Sequence, residues 1–199
     1  MFLACEMPGS SQVRKVENRR AAIVGGSMSG LLAGLLLRRS GWQVEVFERV
    51  ETELAGRGAG IVAQPDLIET LRRLGIDTTD LGVEIATRKI LDRSGRLLNE
   101  LTCPQVLTAW ERVYRALRDA FPAQHYHRGC AVRSFEQSRD CVVAQFAGEG
   151  SIKCDLLVGA DGLRSTVRQQ CLPHIAPLYA GYVAWRAYSG ECVSAGDPS

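Results

Sequence analysis

Four apolar residues, Ala21-Ala22-Ile23-Val24, run directly into Gly25-Gly26-Ser27-Met28-Ser29-Gly30. Beyond them Met28, Leu31, Leu32, Leu35 and Leu36 recur at helical spacing until Gly41. An alternating strand, Gln43 to Phe47, follows and is closed by Glu48 and Arg49. Few folds use a strand, a glycine turn, a helix and a second strand ending in an acid. Gly25 permits a sharp turn out of the strand. Residue 27 must be small for the backbone to approach a pyrophosphate, and Gly30 lets the helix pack closely on the strand. The helix start offers N–H groups and the positive end of its dipole to phosphate oxygens. Ser27 stands where a second glycine usually sits; it is small, and its hydroxyl can add a phosphate hydrogen bond. Gly34 continues the small-residue series toward the sheet, and Glu48 is placed to accept hydrogen bonds from a ribose diol. This pattern predicts a Rossmann-like α/β fold that binds a dinucleotide, and by itself it fits NAD and FAD equally.

A second segment narrows the choice. Residues 154–168 read Cys-Asp-Leu-Leu-Val-Gly-Ala-Asp-Gly-Leu-Arg-Ser-Thr-Val-Arg, an apolar strand that delivers Asp161-Gly162 to a helix capped near Ser165. It resembles the Asp-Gly motif of the group A flavin-dependent monooxygenases, the single-component aromatic hydroxylases. Gly58-Ala59-Gly60-Ile61-Val62-Ala63-Gln64-Pro65 is similar to the segment that runs beside the flavin in that family. Tyr179 to Arg186 is similar to the strand that opens its substrate domain. The resemblance covers residues 20–188.

It implies FAD as cofactor, NAD(P)H as reductant, molecular oxygen and a small phenolic or N-heteroaromatic substrate. Hydroxylation would proceed through a flavin hydroperoxide. Gly25, Gly26, Ser27, Met28, Ser29 and Gly30 would hold the pyrophosphate, with Asp161 and Gly162 on its other side. Glu48 would hold the adenosine ribose, Arg49 would lie over the adenine, and Gly60 and Ile61 would flank the flavin. Arg164, Arg168 and Arg186 are candidates for the NAD(P)H or substrate side. Where many relatives carry a flavin-contacting arginine this chain has Trp110, with Arg112 close by, and both stay open. No catalytic side chain is expected, because the cofactor carries the hard chemistry. Two other readings stand: a non-catalytic FAD-binding remnant, and an NAD-binding dehydrogenase domain.

The elements expected are helices over 65–74, 108–120 and 165–171. A hairpin is expected from 84–91 and 96–101, and an antiparallel meander from 131–137, 141–146 and 152–158. A further strand is expected over 179–188. Residues 1–19 read as a disordered lead-in and 20–173 as the FAD-binding domain. Residues 84–108 would contribute to a substrate-side sheet, and 174–199 would begin a mixed-sheet substrate domain. Relatives run to about twice this length, so a missing C-terminal half is an expected partner.

Of the 199 residues 46% are hydrophobic and 23% charged, ordinary globular values, and a net charge of +2 argues against nucleic acid or an anionic membrane as partner. The seven cysteines form no CxxC pair and no cluster with histidine, which argues against zinc or a disulfide framework and favours a cytoplasmic setting. His125 and His127 lack a partner cluster and read as structural. Tyr179, Tyr182, Trp185 and Tyr188 read as core packing.

Overall fold

In the computed structural model, residues 19–56 and 60–183 are described. Ten strands and four helices follow in order: β1 (Arg20–Val24), α1 (Met28–Arg39), β2 (Gln43–Phe47), β3 (Gly60–Ala63), α2 (Pro65–Arg73), β4 (Val83–Leu91), β5 (Leu97–Ala109), α3 (Trp110–Ala120), β6 (Tyr126–His127), β7 (Val132–Gln137), β8 (Val142–Phe146), β9 (Ser151–Cys154), β10 (Leu156–Gly159) and α4 (Thr166–Cys171).

They form three sheets. The first has the order β10-β1-β2-β6 and is parallel throughout; the second, β3-β5-β4, and the third, β7-β8-β9, are antiparallel. Each face of β1 is buried, and this explains why its sequence is apolar without alternation. Ala21 and Ile23 face the main core with Leu31, Val113, Leu117 and Phe121, whereas Ala22 and Val24 face the packing that includes Ala144 and Phe146. α1 lies close against this sheet and the end of α3 because Gly34 has no side chain: a Cβ there would come 3.3 Å from Ile23 Cδ1 of β1 and 2.8 Å from the Phe121 ring. Gly41, at φ +85°, ends the helix as expected.

The register of the parallel sheet sets up the site. Val24 of β1 pairs with Phe47 of β2 on one side and with Gly159 of β10 on the other. The three strands therefore end level, and Gly25, Glu48 and Ala160 leave from one edge. The chain goes from β1 to β2 on one side, while β10 returns on the opposite side. That reversal makes the carboxyl edge of β1 a topological switch point, the place where open α/β sheets leave a crevice for ligands.

Several expectations need correction. The strand expected over 152–158 is two strands that part at Asp155. The Asp155 N–H donates to the Arg20 carbonyl and its Oδ2 accepts from the Arg20 N–H at 2.8 Å, fastening this point to the start of β1. Only β9 completes the meander, and β10 joins the parallel sheet. The second hairpin strand continues to Ala109, so the next helix begins at Trp110 rather than at 108. β3 pairs along that continuation, Gly60 opposite Ala109 and Ala63 opposite Val106, which holds the strand extended. Tyr179 to Val183 form no strand; Tyr179 and Tyr182 are more than 70% exposed and are not core residues. The rest of the expected strand, with Trp185, Arg186 and Tyr188, lies outside the described residues, as do 1–18, Gly58 and Ala59.

Among the described residues no helix is long and apolar enough to cross a membrane, and no group of His, Cys, Asp or Glu is placed to hold a metal ion.

Candidate functional site

A cavity of about 480 Å³ opens at the level carboxyl edge. Gly25 and Ser27 of the glycine turn, Glu48 and Arg49 after β2, and Asp161, Gly162 and Arg164 after β10 all line it. The two turns touch. A Cβ at Gly25 would stand 2.3 Å from the Ala160 carbonyl oxygen and 2.9 Å from the Asp161 nitrogen. Gly25 also has φ +106°, a conformation that costs any other L-residue strain energy.

Each peptide of the glycine turn is fixed by a partner. The Gly25 N–H donates to the Phe47 carbonyl at 2.8 Å, and the Ala160 N–H donates to the Val24 carbonyl at 2.7 Å. The Gly25 carbonyl faces Gly30, where a Cβ would lie 1.9 Å from its oxygen. Gly30 is therefore required for contact between helix and turn. The Gly26 N–H donates to Glu48 Oε2 at 2.8 Å, and the Gly26 carbonyl accepts from the Tyr126 hydroxyl at 2.9 Å. Glu48, 6% exposed, also accepts from the Val50 N–H through Oε1 at 3.0 Å. Its carboxylate thus ties the end of β2 to the glycine turn as well as lining the cavity.

The two helix starts differ. α4 is capped from within: the Ser165 hydroxyl accepts from the Arg168 N–H at 2.9 Å. Asp161 accepts from the Ser165 hydroxyl at 2.5 Å and from the Thr166 N–H at 2.6 Å. The Asp161 carboxylate is therefore occupied in shaping its own turn. At α1, Ser27 is the N-cap residue but makes no capping bond through its side chain, and no acid stands in the first turn. A helix start left without these partners beside a cavity suits an anion.

The remaining candidates fall in distinct places. Met28 is the first residue of α1 and packs against the main core. Ser29 and Arg168 line a neighbouring cavity of about 360 Å³ that shares Ala160, Asp161 and Gly162 with the first. The Arg168 guanidinium donates to the Leu163 carbonyl at 2.6 Å and the Gly162 carbonyl at 3.4 Å, bracing the turn. Gly60 and Ile61 sit in β3 and do not line the first cavity. Trp110 does line it, stacked on Tyr114 with ring centroids 4.9 Å apart. Arg112 instead donates to the Asp80 carbonyl at 2.8 Å. A larger cavity of about 690 Å³, lined by Arg72, Asp77, Thr78 and Glu84 among others, contains none of the candidate residues.

Sequence reasoning missed Tyr126, and also Cys130, which lines the cavity; of the two residues it left open, Trp110 is the one in the wall. It read His125 and His127 as structural, and both bond to the Glu45 carboxylate, at 2.9 and 2.6 Å. These contacts and the stacking of His127 on Phe47 dock β6 against β2, bringing Tyr126 beneath Gly26. Burial raises the Tyr126 pKa, so the phenol keeps its proton and remains a donor.

Comparison with known proteins agrees with this geometry. The sequence pattern of the FAD binding domain family matches residues 19–175. The chain is 34% identical over 168 residues to 2,6-dihydroxypyridine 3-monooxygenase of Paenarthrobacter nicotinovorans, covering 84% of this chain and 42% of that protein. It is also 34% identical to aurachin C monooxygenase/isomerase of Stigmatella aurantiaca, covering 82% and 45%. The solved 2,6-dihydroxypyridine-3-hydroxylase from Arthrobacter nicotinovorans superposes with a TM-score of 0.76 at 33% identity, covering 82% of this chain and 42% of that one. Klebsiella pneumoniae HpxO, solved with FAD and uric acid, shares the fold at a TM-score of 0.66 and 23% identity, covering 76% and 41%. The chain spans less than half the length of these relatives. The chain belongs to the FAD binding domain family and corresponds to the N-terminal part of the flavin-dependent monooxygenases it matches.

Proposed function

We propose that this chain is the FAD-holding part of an NAD(P)H-dependent hydroxylase acting on a small phenolic or N-heteroaromatic ring. The observation that carries the reading is the meeting of two backbone turns, at Gly25 and at Asp161-Gly162, on one cavity walled by Glu48. The residues fit the group: side chains larger than hydrogen are shut out at Gly25 and Gly30, and the start of α1 carries no internal cap. When bound, FAD supplies the passage of electrons from the reductant and the activation of molecular oxygen.

The residues of this chain bind and orient. Gly25, Gly26, Ser27, Ser29 and Gly30 present the turn and the helix dipole to the diphosphate. Gly162 and the backbone of Asp161 approach it from β10. Glu48 stands where the adenosine ribose would follow, with Arg49 beside the adenine. Glu48 accepts from Gly26 through one oxygen and from Val50 through the other, each leaving a second lone pair for a ribose hydroxyl. Trp110 offers a flat apolar wall that excludes water. Arg164 is the cavity-lining cation on the proposed NAD(P)H or substrate side; Arg186 belongs to the same proposal. Relatives named for hydroxylating dihydroxypyridine and 3-amino-4-hydroxybenzoate support the substrate class. The free thiols of Cys103, Cys130, Cys141 and Cys154 support a reducing cytoplasm as the setting.

A second reading is a non-catalytic FAD-holding chain, consistent with a match that spans only 42–45% of the curated relatives. Oxygen uptake and product formation with NAD(P)H and a panel of hydroxypyridines and hydroxybenzoates test both. Coupled product from the FAD-loaded chain supports the first reading. FAD binding without product supports the second. A purified chain that takes up no FAD contradicts both.

A further inference from the structure

We propose that Tyr126 is a positioning residue for the diphosphate: by holding the Gly26 carbonyl it aims the Ser27 N–H into the cavity. This inference rests on the FAD reading above. In a trans peptide the carbonyl of one residue and the N–H of the next point in opposite directions. The Tyr126 hydroxyl donates to the Gly26 carbonyl at 2.9 Å, a buried contact between residues 100 apart in sequence. The Ser27 N–H, the other end of that peptide, is thereby turned away from Tyr126. Ser27 lines the cavity, and Tyr126 does not.

The peptide before it is held by the same logic. Glu48 takes the Gly26 N–H, and the Gly25 carbonyl accordingly faces Gly30 on the other side. Glu48 and Tyr126 thus grip Gly26 at its two polar ends, and glycine is needed there because a Cβ would stand 2.3 Å from the Tyr126 hydroxyl. Without that grip the Gly26–Ser27 peptide could turn about ψ of Gly26, which glycine leaves free, with only the φ of Ser27 to resist it. A flip would turn a carbonyl oxygen, rather than a donor, toward an anionic ligand.

Tyr126 is itself firmly placed. The Arg118 guanidinium lies 4.2 Å from its ring centroid, and its strand is pinned to β2 by Val46 and Phe47. Its ring packs in the main core and against Gly26, and its hydroxyl makes the hydrogen bond to the turn.

The test is Tyr126→Phe in the full chain, with Thr108→Val as a control. Thr108 is as buried as Tyr126, and its hydroxyl donates to the Leu81 carbonyl without touching the glycine turn. FAD titration is followed by flavin fluorescence, by the ¹H–¹⁵N resonance of Ser27 and by thermal melting of the apo proteins. In the wild type FAD should move the Ser27 amide proton downfield, as a new hydrogen bond to phosphate does. Tyr126→Phe should weaken FAD binding by about 10-fold, equivalent to ~1.4 kcal/mol, and lose most of the Ser27 shift. Thr108→Val, at a comparable loss of melting temperature, should keep both. Equal FAD affinity in Tyr126→Phe and wild type overturns the proposal, as does an equal loss of affinity in Thr108→Val. A wild type that binds FAD without moving Ser27 also overturns it, with the cofactor assignment intact. A wild type that binds no FAD overturns both.

Discussion

Glu48 Oε2 accepts the Gly26 N–H at 2.8 Å, so the acid at the end of the second strand is a structural partner of the glycine turn as well as a wall of the cavity. The two roles share one cause. β1 and β2 end level, and the peptide leaving one strand meets the first side chain leaving the other.

Removing that side chain should therefore cost both stability and binding. Glu48→Ala leaves the buried Gly26 N–H and the partly buried Val50 N–H without their acceptor, a loss of about 1–3 kcal/mol for the buried group. FAD affinity should fall by roughly 10-fold or more. Glu48→Gln can still accept through its single carbonyl oxygen, and its losses should be smaller. Urea unfolding of the apo proteins and calorimetric FAD titration separate the two effects.

Gly25 and Gly162 both have positive φ, but their surroundings differ. Gly25→Ala meets the Ala160 carbonyl at 2.3 Å, whereas a Cβ at Gly162 meets nothing within 4 Å. Gly162→Ala should cost only the left-handed backbone penalty, about 1–2 kcal/mol. Gly25→Ala should cost clearly more, because the two turns must separate. Chemical denaturation of both variants should show this order.

Asp161 accepts from the Ser165 hydroxyl and from the first N–H groups of α4. Asp161→Ala should destabilise the protein by about 1–2 kcal/mol through loss of this cap. FAD affinity should fall with it, because the turn that carries Gly162 loosens. Asp161→Asn, which keeps an acceptor, should retain most of the stability. Thermal melting with and without FAD is the measurement.

Much of this site was legible in the sequence because it is local. A strand, a glycine turn and a helix follow one another within 20 residues, and the spacing of Gly25, Gly30 and Gly34 matches the contacts that exclude a side chain. The second turn was legible for the same reason: Asp161, Gly162 and Ser165 carry their capping signal within five residues. Tyr126 was not legible. Its strand has two residues, too few for any periodicity, and its role follows only from parallel pairing with β2 far back in the chain. The break at Asp155 was hidden likewise, since residues 152–158 read as one strand but serve two sheets. Trp110 and Arg112 were adjacent candidates, and the direction of α3 alone separates them.

Cys154 predicts a response to alkali. Burial pushes its thiol up to about 11 from an ordinary 9.0. A raised pKa favours the protonated form in the fold, so this contribution is complete below pH 9 and is lost as pH rises toward 11. Stability measured by urea unfolding should therefore decline between pH 9 and 11. Cys154→Ala should flatten that decline. An equally steep decline in the variant would assign it to other groups.

Equilibrium titration of the purified chain with FAD, FMN and NAD in parallel tests the central claim most directly, that the turns at Gly25 and Asp161-Gly162 share one diphosphate between adenosine and flavin. FAD should bind with a dissociation constant in the micromolar range or below. FMN, which lacks the adenylate half and so the diphosphate, should bind at least about 100-fold more weakly, and NAD should not compete for the site. FMN binding as tightly as FAD, or NAD binding in preference to both, would contradict the assignment.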